Sequence, residues 1–271
     1  MKSLPDSFQL EKFGISTRDV THMVFQCEPE AIHADVILMP WWQPQVFEPW
    51  VERIVTLSPN VLFEIEVQGR PVSIVRTGIG APLAGDAAIA LGCTGCRRLL
   101  FAGSVGGLGA GMRLADLVIP TVSLAGDGFC RYLQAGFPQE DSFLEPVSPD
   151  GALSQVVARA ARALIEGREM SLHSGPVYST DSILAQFSWL EPMVAKLGCI
   201  GIEMETAAVF KAARRVGIRA AALLSVSDLP FNKQTLYAGR SQAEKEHVRN
   251  TRKEILAKAI LDCLKDPAEG N

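Results

Sequence analysis

Hydrophobic positions follow two periods along this chain, one typical of strands and one typical of helices. Short apolar runs bounded by Gly, Pro or polar residues predict strands at residues 34–39, 61–67, 72–76, 98–102, 117–124, 172–178, 200–202 and 218–226. Segments with helical spacing lie between most of them, at residues 47–57, 83–91, 152–166, 184–197, 204–216 and 242–264. This alternation predicts an α/β fold with a mixed, mostly parallel sheet.

Several local features refine this prediction. Gln68-Gly69-Arg70 joins two strands and predicts a hairpin. Pro192 predicts a break or kink in helix 184–197. The terminal helix carries one apolar stripe, formed by Val248, Ile255, Leu256, Ala259, Ile260 and Leu264.

The chain contains no repeat and no low-complexity linker, so we expect a single domain over residues 1–271. Residues 1–33 lack a clear period and are predicted to be an N-terminal extension. Residues 126–149 are rich in Gly, Pro and acidic side chains and are predicted to form a loop.

Composition excludes some classes of partner. The 271 residues are 48% hydrophobic, which favours a large core. A net charge of −4 argues against a general nucleic-acid-binding protein. No apolar run is long enough to span a bilayer, and the first residues lack the apolar stretch of a secretory signal. We therefore expect a cytoplasmic protein with neither nucleic acid nor membrane as a partner.

Six cysteines are scattered along the sequence. Cys93 and Cys96 have the spacing of a redox or metal half-site, but no second pair accompanies them and the four histidines are dispersed. Buried, reduced thiols are the more common reading, and we predict no metal site. A redox role for Cys93 and Cys96 stays open as a weaker alternative.

Ligands of open α/β sheets bind at the carboxyl ends of the strands. In this chain four such ends are rich in glycine or polar residues, and they could line one cleft: residues 77–80, 103–106, 203–205 and 227–228. Gly103-Ser104-Val105-Gly106-Gly107 could bind an anion through backbone N–H groups and the Ser104 hydroxyl, or it could be a tight turn. Arg76 could reach the same anion, or it could be an exposed residue at the end of the hairpin.

Two acidic segments carry the strongest chemical signal. Glu203 and Glu205 begin a predicted helix, where one could cap the helix while the other points into the cleft and accepts hydrogen bonds from two sugar hydroxyls. Asp228 follows a buried strand, so it could have a raised pKa and act as a general acid, or it could simply cap the next turn. Trp41 and Trp42 could stack on a planar ligand, although core packing is more common.

Taken together, these motifs resemble those of the nucleoside phosphorylase family, which includes uridine and purine phosphorylases and related nucleosidases. The resemblance covers residues 34–265 and rests on the segments Thr77-Gly-Ile-Gly-Ala-Pro82, Gly103-Ser-Val-Gly-Gly107, Tyr178-Ser-Thr-Asp-Ser182, Gly201-Ile-Glu-Met-Glu-Thr-Ala-Ala208 and Ser225-Val-Ser-Asp228. It implies a three-layer α/β/α sandwich and a homo-oligomer, either a dimer or a hexamer of dimers.

The resemblance also implies the reaction, which is cleavage of the N-glycosidic bond of a nucleoside. Glu205 and Met204 would contact the ribose, Asp228 would protonate the leaving base, and Ile183 would pack against it. Glu203, Thr77 and Gly78 are further candidates for substrate binding. Phosphate, the possible co-substrate, would be held by Gly103, Ser104, Val105, Gly106 and Arg76, and no other cofactor is expected.

The sequence departs from the phosphorylase pattern where phosphate is neutralised. Phe101 occupies the position of an arginine, Pro40-Trp-Trp-Gln-Pro44 replaces a glycine-rich loop with an arginine, and no arginine is matched near Ser58. Either phosphate or water therefore remains possible as the nucleophile. The same departures motivate an alternative of a different class, a non-catalytic protein that binds a base or nucleoside.

Overall fold

In this computed structural model, which describes residues 4–134 and 142–266, ten strands pair into one sheet. Their bounds are β1 Asp35–Met39, β2 Val55–Ser58, β3 Leu62–Val67, β4 Arg70–Arg76, β5 Arg98–Gly107, β6 Leu117–Gly126, β7 Glu145–Val147, β8 Leu172–Thr180, β9 Gly201–Glu203 and β10 Arg219–Asp228. The helices are α1 Thr17–Phe25, α2 Ala81–Ala90, α3 Gly151–Ile165, α4 Leu190–Leu197, α5 Thr206–Arg215, α6 Gln242–Thr251 and α7 Ala257–Cys263.

The sheet runs in the order β2-β3-β4-β1-β5-β9-β8-β6-β10, and β10 also pairs with β5. The longest pairings, β5 with β10 and β6 with β8, are parallel, as are those of β1 with β4 and β5. Antiparallel pairs include the hairpin β3–β4 and the short pair β5–β9. The predicted mixed sheet is confirmed, and the second pairing of β10 closes part of it into a ring.

Two hydrophobic cores lie on opposite faces of the sheet. One contains Phe101 and Phe210 with the small residues of α2 and α5, and the other contains Phe47, Leu223 and Ile260 with α3 and α7. Because helices cover both faces, the central strands are apolar on both sides, which explains their uninterrupted hydrophobic runs. The architecture is the predicted α/β/α sandwich.

The N-terminal stretch contains a helix that the hydrophobic period did not reveal. Ser16 begins α1 with a capping box, since its hydroxyl accepts from Asp19 N and the Asp19 carboxylate accepts from Ser16 N. Phe25, at the end of α1, is fully buried in the core that contains α2. The stretch thus contributes to the core, and its capping box was the available signal.

Two helix predictions need correction at proline. Residues 47–57 form no α-helix, because Pro44–Trp50 is a 3₁₀ helix containing Pro49, and β2 begins at Val55. The helix predicted over residues 184–197 breaks at Trp189, between the 3₁₀ turn Ala185–Ser188 and α4. Pro192 lies in the first turn of α4, where a missing N–H breaks no helical bond, and so causes no kink.

The segment Gly103–Gly107 is strand rather than turn. It continues β5, with Ser104 opposite Ser225 of β10 and Gly106 opposite Ile202 of β9. The glycines permit close packing, since a Cβ at Gly107 would lie 2.8 Å from Leu229 Cδ2. The predicted loop 126–149 includes a 3₁₀ turn, Phe129–Leu133, and β7, while its residues 135–141 lie outside the described ranges.

The predicted terminal helix is interrupted by a π-helical turn. Arg252–Leu256 has π geometry and separates α6 from α7, whereas a continuous α-helix was expected. Among the residues described, no helix is both long and apolar enough to cross a bilayer.

Candidate active site

A cavity of about 330 Å³ opens where β1, β5 and β10 end and α5 begins. This volume lies in the range of small-molecule sites. Its lining consists of Pro40, Trp41, Trp42, Ile79, Ser104, Val105, Gly106, Ile183, Gln186, Ile202, Glu203, Met204, Glu205, Ser227, Asp228, Leu236, Arg240 and Arg252. Residues 104–106, 203–205 and 227–228, from three of the four predicted strand-end segments, therefore meet in one cavity.

Asp228 sits at the end of β10, next to β5. It pairs with Gly106, and a register shift separates it from Val226. A Cβ built at Gly106 would lie 3.6 Å from each carboxylate oxygen of Asp228, so the side chain fits against the bare glycine. Burial raises the pKa of Asp228, although a 2.7 Å hydrogen bond from Ser227 Oγ and the charge of Arg240 oppose the change. Its carboxyl therefore keeps its proton to a higher pH than an exposed aspartic acid does.

Glu203 holds the start of α5. Its carboxylate accepts from the backbone N–H groups of Glu205 and Thr206 and from the Thr206 hydroxyl, each at 2.7 Å, and from the Ser179 hydroxyl. A carboxylate at a helix N-terminus is favoured by the unpaired N–H groups there. The four donors occupy Glu203, although it lines the cavity.

Glu205 is buried beside Glu203 and has fewer partners. Its Oε1 accepts a 2.7 Å hydrogen bond from the backbone N–H of Gly80. Gly80 is the N-cap residue of α2, and its φ of +108° is a conformation that suits glycine. Burial, followed by the charge of Glu203, raises the pKa of Glu205 to about 8. Burial also raises the pKa of Glu203, but its four hydrogen-bond donors oppose that change, whereas the charge of Glu203 adds to the rise at Glu205. We therefore assign the proton that the pair holds near neutral pH to Glu205.

Arg240 ties the loop after β10 to the strand end. Its guanidinium donates to the carbonyl oxygens of Ser227, Thr235 and Leu236, at 2.6, 2.9 and 3.2 Å. These bonds fix the chain on the C-terminal side of Asp228.

An aromatic side of the cavity follows β1. Trp42 is buried, and the Arg252 guanidinium carbon lies 4.9 Å from its ring centroid. Trp41 is 63% exposed at the mouth of the cavity. Trp42 thus packs in a core while also lining the cavity, and stacking of either tryptophan on a planar ligand stays a prediction.

The structure brings together most, but not all, of the predicted site residues. The lining includes Ser104, Val105, Gly106, Ile183, Glu203, Met204, Glu205 and Asp228. Four predicted residues lie outside the lining, namely Arg76, Thr77, Gly78 and Gly103. Arg76 Nε points to the Trp41 carbonyl oxygen at 3.4 Å, and a Cβ at Gly103 would meet the Phe101 ring at 2.6 Å. The loop 77–80 instead contributes Ile79 to the lining and the Gly80 N–H that donates to Glu205.

Sequence reasoning missed both arginines of the lining. Arg240 follows an irregular loop, and no motif marks it. Arg252 had a signal, because it lies four residues after Val248 and four before Leu256, within the apolar stripe of the terminal helix. A charged residue on a buried stripe requires a structural or functional reason.

The two cysteines of the redox alternative are buried away from the cavity lining. Burial raises the pKa of Cys93 to about 11, which disfavours the reactive thiolate. Within residues 4–134 and 142–266, no group of three or more His, Cys, Asp or Glu side chains is arranged to hold a metal ion.

Comparison with known proteins identifies the family of this chain. Residues 52–265 match the family model described as the phosphorylase superfamily. Guanosine phosphorylase of Halorubrum lacusprofundi is 31% identical over 58% of this chain, and the match spans 61% of that protein, less than two thirds of its length. The DeoD-type purine nucleoside phosphorylase of Myxococcus xanthus is 29% identical over 72% of this chain and 80% of its own.

The fold matches as well. A uridine phosphorylase structure from Vibrio fischeri superimposes with a TM-score of 0.70, at 21% identity, over 86% of this chain and 91% of that chain. A match to the family model over most of the chain, together with the α/β/α architecture, shows that the chain belongs to the phosphorylase superfamily.

Proposed function

We propose that this protein cleaves the N-glycosidic bond of a purine nucleoside, releasing the free base. The observation that supports this most strongly is that Ser104, Glu205 and Asp228 line one cavity of about 330 Å³. Cleavage of this bond requires a proton donor for the base, an acceptor for the sugar hydroxyls and room for a nucleophile. Each of these three residues supplies a group suited to one requirement.

Asp228 is proposed as the general acid. Its raised pKa favours the protonated carboxyl, which can donate to a ring nitrogen of the purine. As the bond from that base to the sugar breaks, the electron pair stays on the base and the proton neutralises it. Arg240, which holds the Ser227 carbonyl, keeps the donor in position.

Glu205 is proposed to hold the ribose. Its Oε1 already accepts from Gly80 N, so the remaining lone pairs and the proton of the carboxyl group can bind two vicinal hydroxyls. Met204 and Ile183 supply apolar contacts to the sugar and the base. Binding both hydroxyls favours the sugar geometry of the oxocarbenium-like transition state.

The nucleophile is proposed to approach from Ser104, on β5. With phosphate the products are ribose 1-phosphate and base, and with water they are ribose and base. Phe101, at the position of a phosphorylase arginine, is fully buried in the core and cannot serve an anion. The cationic groups of this cavity are Arg240 and Arg252, among its described lining residues.

The test is release of free base from adenosine, guanosine, inosine and uridine, with and without phosphate, followed by chromatography. We expect release from at least one purine nucleoside, and the phosphate dependence separates phosphorolysis from hydrolysis. Binding of a nucleoside by calorimetry without any turnover would instead support the non-catalytic alternative and contradict the proposed reaction.

The homo-oligomer expected from the family resemblance remains a proposal. Light scattering after size exclusion would give the mass of the assembly. A dimer or hexamer is the expected result.

A further inference from the structure

Arg252 is a partly buried cation, and no acidic side chain within residues 4–134 and 142–266 is paired with it. Its Nε is buried and has no hydrogen-bond partner among the described residues. Burial lowers the pKa of Arg252 to about 10, and the charges of Arg240 and Arg249 act in the same direction. Burying a guanidinium N–H donor such as this Nε–H without a partner is unfavourable.

The contact with Trp42 does not relieve this condition. The guanidinium lies over the indole ring at 4.9 Å, which contributes cation–π attraction. The N–H groups of a guanidinium lie in its own plane, however, so the face of the indole ring does not accept hydrogen bonds from them. Trp42 therefore orients Arg252 while leaving the donors at its edge available to a ligand.

Arg240 makes the contrast clear. It lies in the same lining, but its guanidinium is occupied by three backbone carbonyl oxygens. Arg240 thus positions the loop, whereas the Nε–H of Arg252 has no hydrogen-bond partner among the described residues. Arg252 also occupies the π-helical turn between α6 and α7, and such turns often occur at functional sites.

We propose that Arg252, oriented by Trp42, is the anion-binding residue of this cavity and takes a phosphoryl group. A phosphoryl oxyanion matches the planar, bidentate fork of arginine and supplies the missing negative charge. The phosphoryl group is inferred from Arg252 itself, and only the identity of the remainder of the ligand, a nucleoside, rests on the proposed function. The phosphoryl group has two possible sources: inorganic phosphate acting as the nucleophile, or the phosphate ester of a nucleotide substrate.

Calorimetry with three probes separates these sources: inorganic phosphate, adenosine and adenosine 5′-monophosphate. The variants are Arg252→Met, Arg252→Lys and, as a matched control, Arg249→Met, which removes an exposed charge one turn earlier outside the lining. Loss of a charge-assisted bond predicts roughly tenfold to hundredfold weaker binding in Arg252→Met, partial recovery in Arg252→Lys and no change in Arg249→Met.

Each outcome has a defined meaning. If Arg252→Met binds inorganic phosphate more weakly than wild type does, the phosphoryl group at Arg252 is the phosphate nucleophile. A nucleotide affinity above that of adenosine, removed only in Arg252→Met, identifies the ester. The proposal is wrong if Arg252→Met binds inorganic phosphate and adenosine 5′-monophosphate as tightly as wild type does. It is also wrong if the wild type neither binds inorganic phosphate nor binds adenosine 5′-monophosphate more tightly than adenosine. Phosphate binding that depends on Arg252 without any nucleoside turnover would uphold this subsite and contradict the proposed reaction.

Thermal unfolding of the ligand-free protein gives an independent readout. Removing an unpaired buried charge should raise Tm by about 2–4 °C in Arg252→Met, relative to Arg249→Met. The methionine retains apolar contact with Trp42. A lower Tm in Arg252→Met would mean that Arg252 serves the ligand-free fold, and it would contradict the proposal.

Discussion

The backbone N–H of Glu205 donates to the carboxylate of Glu203 at 2.7 Å, so one acid fixes the position of the other. Glu203 uses its oxygens within the protein, at the start of α5. Glu205 instead accepts a hydrogen bond from the backbone N–H of Gly80 and lines the cavity. Two acids separated by one residue thus have different roles: α5 begins directly after Glu205, and the free N–H groups at its start are taken up by Glu203.

This division predicts opposite effects for two matched variants. Glu203→Gln puts an NH₂ group where only acceptors fit, so it should lower the free energy of unfolding by about 2–4 kcal/mol. Glu205→Gln should change it by no more than about 1 kcal/mol at pH 5, where little of the wild-type titration cost has developed, but weaken nucleoside binding at least about tenfold. Urea unfolding and calorimetry measure the two effects. Equal destabilisation by both variants would contradict the division.

The raised pKa of Glu205 predicts a pH-dependent cost in stability. In the folded state the carboxyl keeps its proton up to a pKa of about 8, while in the unfolded chain it loses it near 4.5. The folded state therefore binds more protons between these values, and stability falls as pH rises through this window. Glu205→Gln removes the titrating group and with it this fall.

The free energy of unfolding of Glu205→Gln, minus that of wild type, should increase between pH 5 and pH 8 and level off above. The total change should be on the order of a few kcal/mol. Urea titrations at one-unit intervals of pH measure it. A difference that stays constant over this range would show that Glu205 titrates normally.

The pairing of β5 with β9 next to the cavity depends on a glycine. A Cβ at Gly201 would lie 2.6 Å from Val105 Cγ2, closer than packing allows. We expect Gly201→Ala to destabilise the protein by about 1–3 kcal/mol. Gly151→Ala is the matched control, because nothing lies within 4 Å of its Cβ position. Chemical denaturation of both variants would reveal whether the close approach is real.

Thiol chemistry tests the redox alternative. Cys93, Cys96, Cys130, Cys199 and Cys263 are buried, and only Cys27 is half-buried. A thiol reagent at pH 8 should therefore modify no more than one cysteine rapidly in the native protein, and six after denaturation. Rapid modification of two thiols, lost in Cys93→Ala, would revive the redox alternative.

The sequence predicted the sheet and its main helices because buried central strands and amphipathic helices have strong periods. It did not predict that β10 returns to pair with β5, since closure depends on contacts far apart in sequence. Gly103–Gly107 was interpreted as an anion-binding segment or a turn. Glycine indicates close approach of backbone, and here the approaching backbone belongs to β9 and β10.

The candidate site shows the same limit. Ser104, Glu205 and Asp228 were predictable because each follows a strand, and strand ends converge. Arg252 belongs to a helix remote in sequence, and its entry into the cavity depends on how α6 and the π-helical turn pack. Its place within an apolar stripe was visible, but the ligand chemistry followed only from its Nε, which has no hydrogen-bond partner in the part of the chain that the structure describes.

The most direct test of the proposed chemistry compares wild type with Asp228→Asn. Asparagine keeps the shape of the side chain but removes the acidic proton, so base release from the best purine nucleoside should fall by about 10²–10⁴-fold. Nucleoside affinity, measured by calorimetry, should stay within a few-fold. Equal rates of base release from the two proteins would contradict the central claim that Asp228 protonates the leaving base.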